Sequence, residues 1–149
     1  MVRQNHPVHP KLDYHAITEY IYVGTNQCCQ THFDERLLRQ KIRADISLEK
    51  NRLDAPFGVE YYLWLPTRDG YAPSPQQLEL GIAMLRFCAK HRISVYVHCK
   101  SGHGRAPTLV AAYLMTTGMK ATQAVAFVKK HRAVTHLNLV QMNALKRYV

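Results

Sequence analysis

No acidic residue follows Glu79. Residues 80–149 carry eleven Lys and Arg and no Asp or Glu, whereas residues 1–79 are nearly balanced. The chain's 20 basic and 10 acidic side chains, a formal net charge of +10, are therefore unevenly placed. That asymmetry argues against a uniform solubilising coat and predicts one positive face that draws anionic substrates inward. Long apolar runs are also missing. Nothing approaches the roughly 18–20 residues needed to span a bilayer, so a transmembrane helix is not expected. The opening Met1-Val-Arg-Gln-Asn-His-Pro-Val-His-Pro10 has no apolar h-region, so secretion is not expected either. We read residues 1–12 as a mobile tail. Cysteine is scarce: Cys28, Cys29, Cys88 and Cys99 form no C-x-x-C pair, and the adjacent pair has poor disulfide geometry. This usage points to a reducing compartment and a cytoplasmic placement, with Cys28, Cys29 and Cys88 as spectators. Cys88 could protect an oxidised Cys99 only if the fold brought them together. Nine histidines invite a metal, but His6/His9 and His131/His136 lack carboxylate or cysteine partners at ligand spacing, so no metal or other cofactor is expected. No repeat or linker divides the chain. With 149 residues, 47% of them hydrophobic, residues 13–149 read as one domain around one core.

What the sequence does contain is concentrated in His98-Cys-Lys-Ser-Gly-His-Gly-Arg105. Ile93-Ser-Val-Tyr-Val97 before it reads as a short buried strand, and Thr108-Leu-Val-Ala-Ala-Tyr-Leu-Met115 after it as an apolar helix. A turn containing Gly102 and Gly104 between strand and helix N-terminus aims several backbone N–H groups at one point. The helix dipole favours negative charge there as well. The same field favours the thiolate form of Cys99. Arg105 supplies a planar, permanently charged fork for two phosphate oxygens. Attack of Cys99 on phosphorus through a cysteinyl-phosphate is the chemistry this suggests. The plainer alternative, an inert cysteine at a strand end, leaves Arg105 and the two glycines without a purpose. Lys100, Ser101 and His103 complete the loop. Lys100 and His103 either meet extra phosphates or simply point to solvent.

A departing alkoxide or phenoxide needs a proton. Asp69, in Leu65-Pro-Thr-Arg-Asp-Gly-Tyr-Ala-Pro-Ser-Pro75, is the best available donor because no acid follows Glu79. The stretch is rich in Pro and Gly, hence a loop that can swing over bound phosphate. Standing alone, Asp69-Gly70 would read as an ordinary turn.

The coarse pattern is α/β. Strands are predicted at Ile17–Gly24, Ile42–Leu48, Val59–Leu65 and Ile93–Val97. Helices are predicted at Thr31–Gln40, Ser74–His91, Pro107–Thr117, Thr122–Arg132 and Asn138–Tyr148. Ser74 and Pro75 mark one helix start, Asn138 and Gln141 form a capping box for another, and Gly118 marks a C-terminus. Alternation implies a central, mostly parallel twisted sheet of 4–5 strands with helices on both faces. Lys129-Lys-His-Arg132 reads as the solvated end of a helix.

His98–Arg105, Leu65-Pro-Thr-Arg-Asp69 and Arg105-Ala-Pro-Thr-Leu-Val-Ala-Ala-Tyr-Leu-Met115 together resemble a dual-specificity phosphatase of the cysteine-dependent tyrosine phosphatase superfamily. The opening Asp13-Tyr-His-Ala-Ile-Thr-Glu-Tyr-Ile-Tyr-Val-Gly24 is similar to the segment with which such domains begin, and the resemblance spans about residues 14–148. Val95–Lys100 and Val110–Leu114 look closest to the mitochondrial-type enzymes that act on phosphatidylglycerophosphate, and also to small atypical enzymes of bacteria and archaea. The resemblance implies Cys99 as nucleophile, Arg105 as phosphate ligand, Asp69 as general acid and His98 as a group tuning the thiolate. It usually brings Ser or Thr directly after the arginine, where a hydroxyl assists thiolate release; here stand Ala106 and, two residues on, Thr108. Substrates then expected are phosphotyrosine and phosphoserine/threonine in proteins, or a phospholipid headgroup, with peripheral contact to an anionic membrane. A non-catalytic phosphate-binding module and an RNA 5′-phosphatase compete. Net charge alone motivates the RNA reading, with no aromatic-rich basic stripe beside it, so nucleic acid is not expected as a partner.

Overall fold

A computed structural model describes residues 11–27 and 30–148. The tail expected at residues 1–12 lies outside the described residues up to Pro10, as do Cys28 and Cys29. Leu12, by contrast, packs against buried side chains and belongs to the folded body.

Five strands form one sheet in the order β1-β2-β5-β3-β4, comprising β1 (Tyr14–Ala16), β2 (Ile21–Gly24), β3 (Ile42–Glu49), β4 (Tyr61–Thr67) and β5 (Ser94–His98). All pairings are parallel except β1 with β2. The expected single strand Ile17–Gly24 breaks in two. Residues 17–20 make a bend in which the Thr18 hydroxyl accepts from the backbone N–H of Tyr20 and Ile21. The chain reverses there, so β1 becomes an antiparallel edge that sequence alone did not separate.

The helices are α1 (Glu35–Arg39), α2 (Pro75–Lys90), α3 (Arg105–Met115), α4 (Ala121–His131) and α5 (Leu139–Arg147). The helix expected at Thr31–Gln40 is reduced to α1, because Asp34 ends the extended approach by accepting from Arg36 N–H as an N-cap. The expected caps hold elsewhere: Ser74 with Gln77 and Asn138 with Gln141 form capping boxes, Pro75 opens α2, and Gly118 beyond α3 has φ +113°.

The two sheet faces are covered unequally. Val23, Ala44, Ile46, Leu48, Val95 and Val97 pack with α2, α3, α4 and α5 into the main core. Helix α3 is its centre, with Leu109, Val110, Ala111 and Ala112 fully buried. The opposite face carries the smaller cluster Phe33, Leu37, Ile42 and Tyr96 beneath α1. Alternation along β5 puts His98 on that second face with Tyr96, whose ring it stacks on at 5.3 Å. A register shift between Ile42 and Ala44 explains why both stand in apolar surroundings on different faces.

Candidate active site

The expected loop sits where the strand-helix reading puts it, at the carboxyl end of the central strand β5. Cys99 follows His98 directly and is almost wholly buried. Arg105 is the first residue of α3, two residues earlier than the helix start expected from the sequence, so its side chain springs from the rigid first turn. Gly102 adopts φ +66°, and a Cβ there would stand 2.6 Å from the Gly24 carbonyl oxygen and 2.9 Å from Arg132. Both conformation and space therefore require glycine. A Cβ on Gly104 would meet the Gln141 amide at 2.9 Å. The side chains of Lys100 and His103 are exposed on the rim, as is Ser101.

Arg105 is buried and held from several sides. Its Nη1 donates to the Thr67 carbonyl at 2.9 Å and to Glu49 Oε1 at 3.3 Å. Asp69 Oδ1 lies 3.6 Å from Arg105 Nε, while the Asp69 side chain is 86% exposed. The Asp69 carboxyl thus stands beside the Arg105 guanidinium, on a loop open to solvent. That loop is tied down by α5: Asn138 Nδ2 donates to the Gly70 carbonyl at 2.8 Å and Gln141 Nε2 to the Tyr71 carbonyl at 3.2 Å. The structure therefore brings Arg105 and Asp69 together, with Cys99 and Arg105 at the two ends of one short loop.

Thr108, offered above as a substitute hydroxyl, donates to the Gly104 carbonyl at 2.7 Å. Its proton is committed to the preceding turn. Cys88 is excluded as a partner for Cys99. Ile93 N–H donates to the Cys88 carbonyl, which fixes Cys88 at the amino end of β5, whereas Cys99 follows its carboxyl end. Five strand residues at about 3.3 Å each intervene, far more than the roughly 7 Å between Cα atoms that a disulfide tolerates. Burial also pushes the Cys88 thiol up to about 11.

Four supporting residues escaped the sequence reading. Arg132 is not the solvated helix end expected from Lys129-Lys-His-Arg132. Its side chain is fully buried, with Nε donating to the Gly102 carbonyl at 2.9 Å and Nη2 to the Ser101 carbonyl at 3.0 Å. Its Nη1 donates to His15 Nδ1 at 2.9 Å and lies 3.2 Å from Asp13 Oδ2. The helix ends one residue earlier, at His131, and Arg132 turns inward to satisfy loop carbonyls that α3 cannot reach. Glu49, Asn26 and Asp45 form the second group. Asn26 Nδ2 donates to Glu49 Oε2 at 2.9 Å, and His98 Nδ1 lies 2.9 Å from Asn26 Oδ1. His98 Nε2 pairs with Asp45 Oδ1 at 3.1 Å, both side chains fully buried, and Asp54 Oδ2 stands at 3.8 Å. Burial works to raise the pKa of Glu49, but Asn26 and Arg105 more than offset it and leave the carboxyl below its ordinary value. The one visible sequence signal was Asp45 itself, an acid inside the strand-like run Ile42–Leu48, whose other charge is Arg43.

Residues 21–149 match the family model described as dual specificity phosphatase, catalytic domain. The human protein tyrosine phosphatase type IVA 3 is 28% identical over 155 aligned positions, covering 99% of this chain and 88% of that protein. Rat dual specificity protein phosphatase 5 is 26% identical, covering 89% of this chain and 34% of its own length. Among solved structures, PTPMT1 superposes with a TM-score of 0.76 at 26% identity, covering 91% of this chain and 92% of that one. A second PTPMT1 structure, in complex with PI(5)P, gives a TM-score of 0.77 at 22% identity over 91% of this chain and 93% of that one.

Proposed function

Because this chain belongs to the dual specificity phosphatase catalytic-domain family and is a cysteine-dependent phosphatase, we propose that Cys99, Arg105 and Asp69 carry its reaction on phosphorylated proteins. The observation that carries this reading is the junction of β5 and α3: a buried thiol, a glycine turn and a buried guanidinium within one loop, with a carboxyl 3.6 Å from that guanidinium. Arg105 and the loop amides bind the equatorial phosphate oxygens, and Cys99 Sγ attacks phosphorus opposite the ester oxygen. The P–O bond breaks as Asp69 protonates the leaving alkoxide or phenoxide, producing a cysteinyl-phosphate. Asp69, now a carboxylate, takes a proton from water as that water attacks phosphorus. The P–S bond breaks, and the thiolate and inorganic phosphate are released. The cysteine usage supports a cytoplasmic placement; among the described residues no helix is long and apolar enough to cross a membrane.

A phospholipid headgroup is the second reading, favoured by the basic second half of the chain and by the likeness to PTPMT1, one structure of which holds PI(5)P. Peripheral contact with an anionic membrane belongs to it. A panel of phosphotyrosine and phosphoserine/threonine peptides, phosphatidylglycerophosphate and phosphoinositides separates the readings. The protein reading expects the highest kcat/KM on phosphopeptides. If a lipid exceeds every peptide by tenfold or so, the second reading replaces the first. In the same panel, kcat/KM for multiply charged substrates should fall with ionic strength more steeply than for a small aryl phosphate. Lys100→Ala should flatten that difference and leave aryl phosphate hydrolysis nearly intact. Parallel salt slopes would reduce the positive charge to a matter of solubility.

Ala106 bears on the second half-reaction. A hydroxyl beside Arg105 would hydrogen-bond the sulfur as the thiolate leaves, but Ala106 has none and Thr108 is committed to Gly104. One missing charge-directed hydrogen bond costs about 1.5–3 kcal/mol, which slows that step by roughly ten- to a hundredfold. Rapid-quench kinetics should therefore show a burst of leaving group before a slower steady state. Ala106→Ser should shrink the burst and raise kcat. Absence of a burst in the wild-type protein would show that some other donor assists the sulfur.

A further inference from the structure

Under the second face of the sheet lies a chain of contacts that the reaction above does not use. It starts at Asp45 in β3, passes through His98 in β5, Asn26 after β2 and Glu49 at the end of β3, and reaches Arg105 in α3. We infer that Asp45 is a positioning residue for phosphate binding, acting through His98, Asn26 and Glu49 to hold the Arg105 fork. The inference rests on the phosphatase reading.

Proton counting along the chain carries the argument. Glu49 beside Arg105 is an acceptor, so the Asn26 amide presents its NH₂ to Glu49 Oε2. Its oxygen then faces His98 Nδ1 at 2.9 Å, and that nitrogen donates. On the other edge of the ring, Nε2 faces the Asp45 carboxyl at 3.1 Å; burial raises the pKa of that carboxyl, and we place one shared proton between the pair. Asp45 Oδ1, Asp45 Oδ2 and His98 Nε2 make no well-aligned hydrogen bond among the described residues, and the 3.1 Å approach is the nearest contact that can satisfy them. Two buried atoms that are otherwise orphaned are thus obliged to satisfy one another. Burial alone would strip the proton from His98, but Asp45 and then Asp54 outweigh it, and the imidazole stands above its ordinary value. The other groups facing this ring are Arg52, which is paired to Asp54 at 2.9 Å and opposes the charge, and the stacked Tyr96. Tyr62 lies on the adjacent strand, its hydroxyl pushed up to about 12 by burial and by Asp45 and Asp54, so it remains a neutral neighbour.

A charged ring donates to Asn26 about twice as strongly as a neutral one. Asn26 in turn ties the relay to the loop itself, its backbone N–H donating to the Lys100 carbonyl at 3.2 Å. Without Asp45 the ring loses its second proton, the amide of Asn26 loses its fixed orientation, and Glu49 is free to leave Arg105. The loss falls on oxyanion binding before it falls on folding, because Arg105 loses one of its anchors while the apolar core is untouched.

The experiment combines ¹⁵N-histidine NMR with competitive inhibition of aryl phosphate hydrolysis by inorganic phosphate. In the wild-type protein both ring nitrogens of His98 should still resonate as protonated above the pH at which an ordinary imidazole loses its second proton. In Asp45→Asn one nitrogen should become unprotonated, and the inhibition constant for phosphate should rise by about five- to tenfold. Asn26→Ala, which cuts the relay beyond the ring, should weaken phosphate equally while His98 stays doubly protonated; it also covers the case of an Asp45→Asn protein that does not fold. A folded Asp45→Asn protein with phosphate affinity within twofold of wild type, or a wild-type His98 with a bare nitrogen, overturns the inference alone. A wild-type protein that neither binds phosphate nor hydrolyses aryl phosphate overturns the phosphatase reading, and this inference with it.

Discussion

Cys99→Ser is expected to lower turnover of any phosphate ester by about a thousandfold or more, since a serine hydroxyl in this loop has no base to activate it. Phosphate binding should survive, because Arg105 keeps its contacts to Thr67 and Glu49 and the loop keeps its backbone donors. The check is a pairing of two measurements on one protein: turnover of an aryl phosphate, and affinity for inorganic phosphate. Turnover above a few thousandths of wild type would remove Cys99 from the role of nucleophile. Loss of binding together with turnover would instead indicate a collapsed loop. Arg105→Lys should show the converse, poor binding as well as poor turnover, because an ammonium cannot span two equatorial oxygens or reach Thr67 and Glu49 in the same geometry.

The second large effect concerns Asp69. Its substitution by Asn should slow hydrolysis of esters with poor leaving groups by roughly 10²–10⁴-fold, the usual contribution of a positioned general acid. Esters whose leaving group departs without help should lose far less. The exposed position of Asp69 makes a folding defect an unattractive explanation for any loss. A series of aryl phosphates graded by leaving-group acidity reads the result directly. Asp69→Asn should steepen the dependence of kcat/KM on leaving-group acidity, and an equal loss along the whole series would assign the proton transfer to another residue.

Much of this site was legible from the sequence because its signals are local. Cys99, the glycines and Arg105 fall within one strand-to-helix turn, and the capping pairs Ser74/Gln77 and Asn138/Gln141 lie within single helical turns. The misreadings share an opposite character. Strand β1 has only three residues and no buried side chain to mark its period, so its existence depends on pairing with β2 after a bend. Arg132 looked like one more basic residue at a helix end; only the meeting of its side chain with carbonyls 30 and 31 positions away gives it a purpose. The Asn26–His98 and Glu49–Arg105 contacts span 72 and 56 positions. Charged groups inside an apolar strand, such as Asp45, violate the local pattern and find their justification only in tertiary contact.

The place of Arg132 also sets an order of events during synthesis. The loop that holds Cys99 leaves the ribosome well before the guanidinium that clamps it, and Asp13 with the β1 residue His15 leaves far earlier. A nascent chain halted between residues 103 and 131 has its thiol made but lacks the Arg132 donors to the Ser101 and Gly102 carbonyls. The clamp on the loop therefore forms late, when α4 docks and one side chain meets both the carbonyls of Ser101 and Gly102 and His15, which lies 117 positions before it.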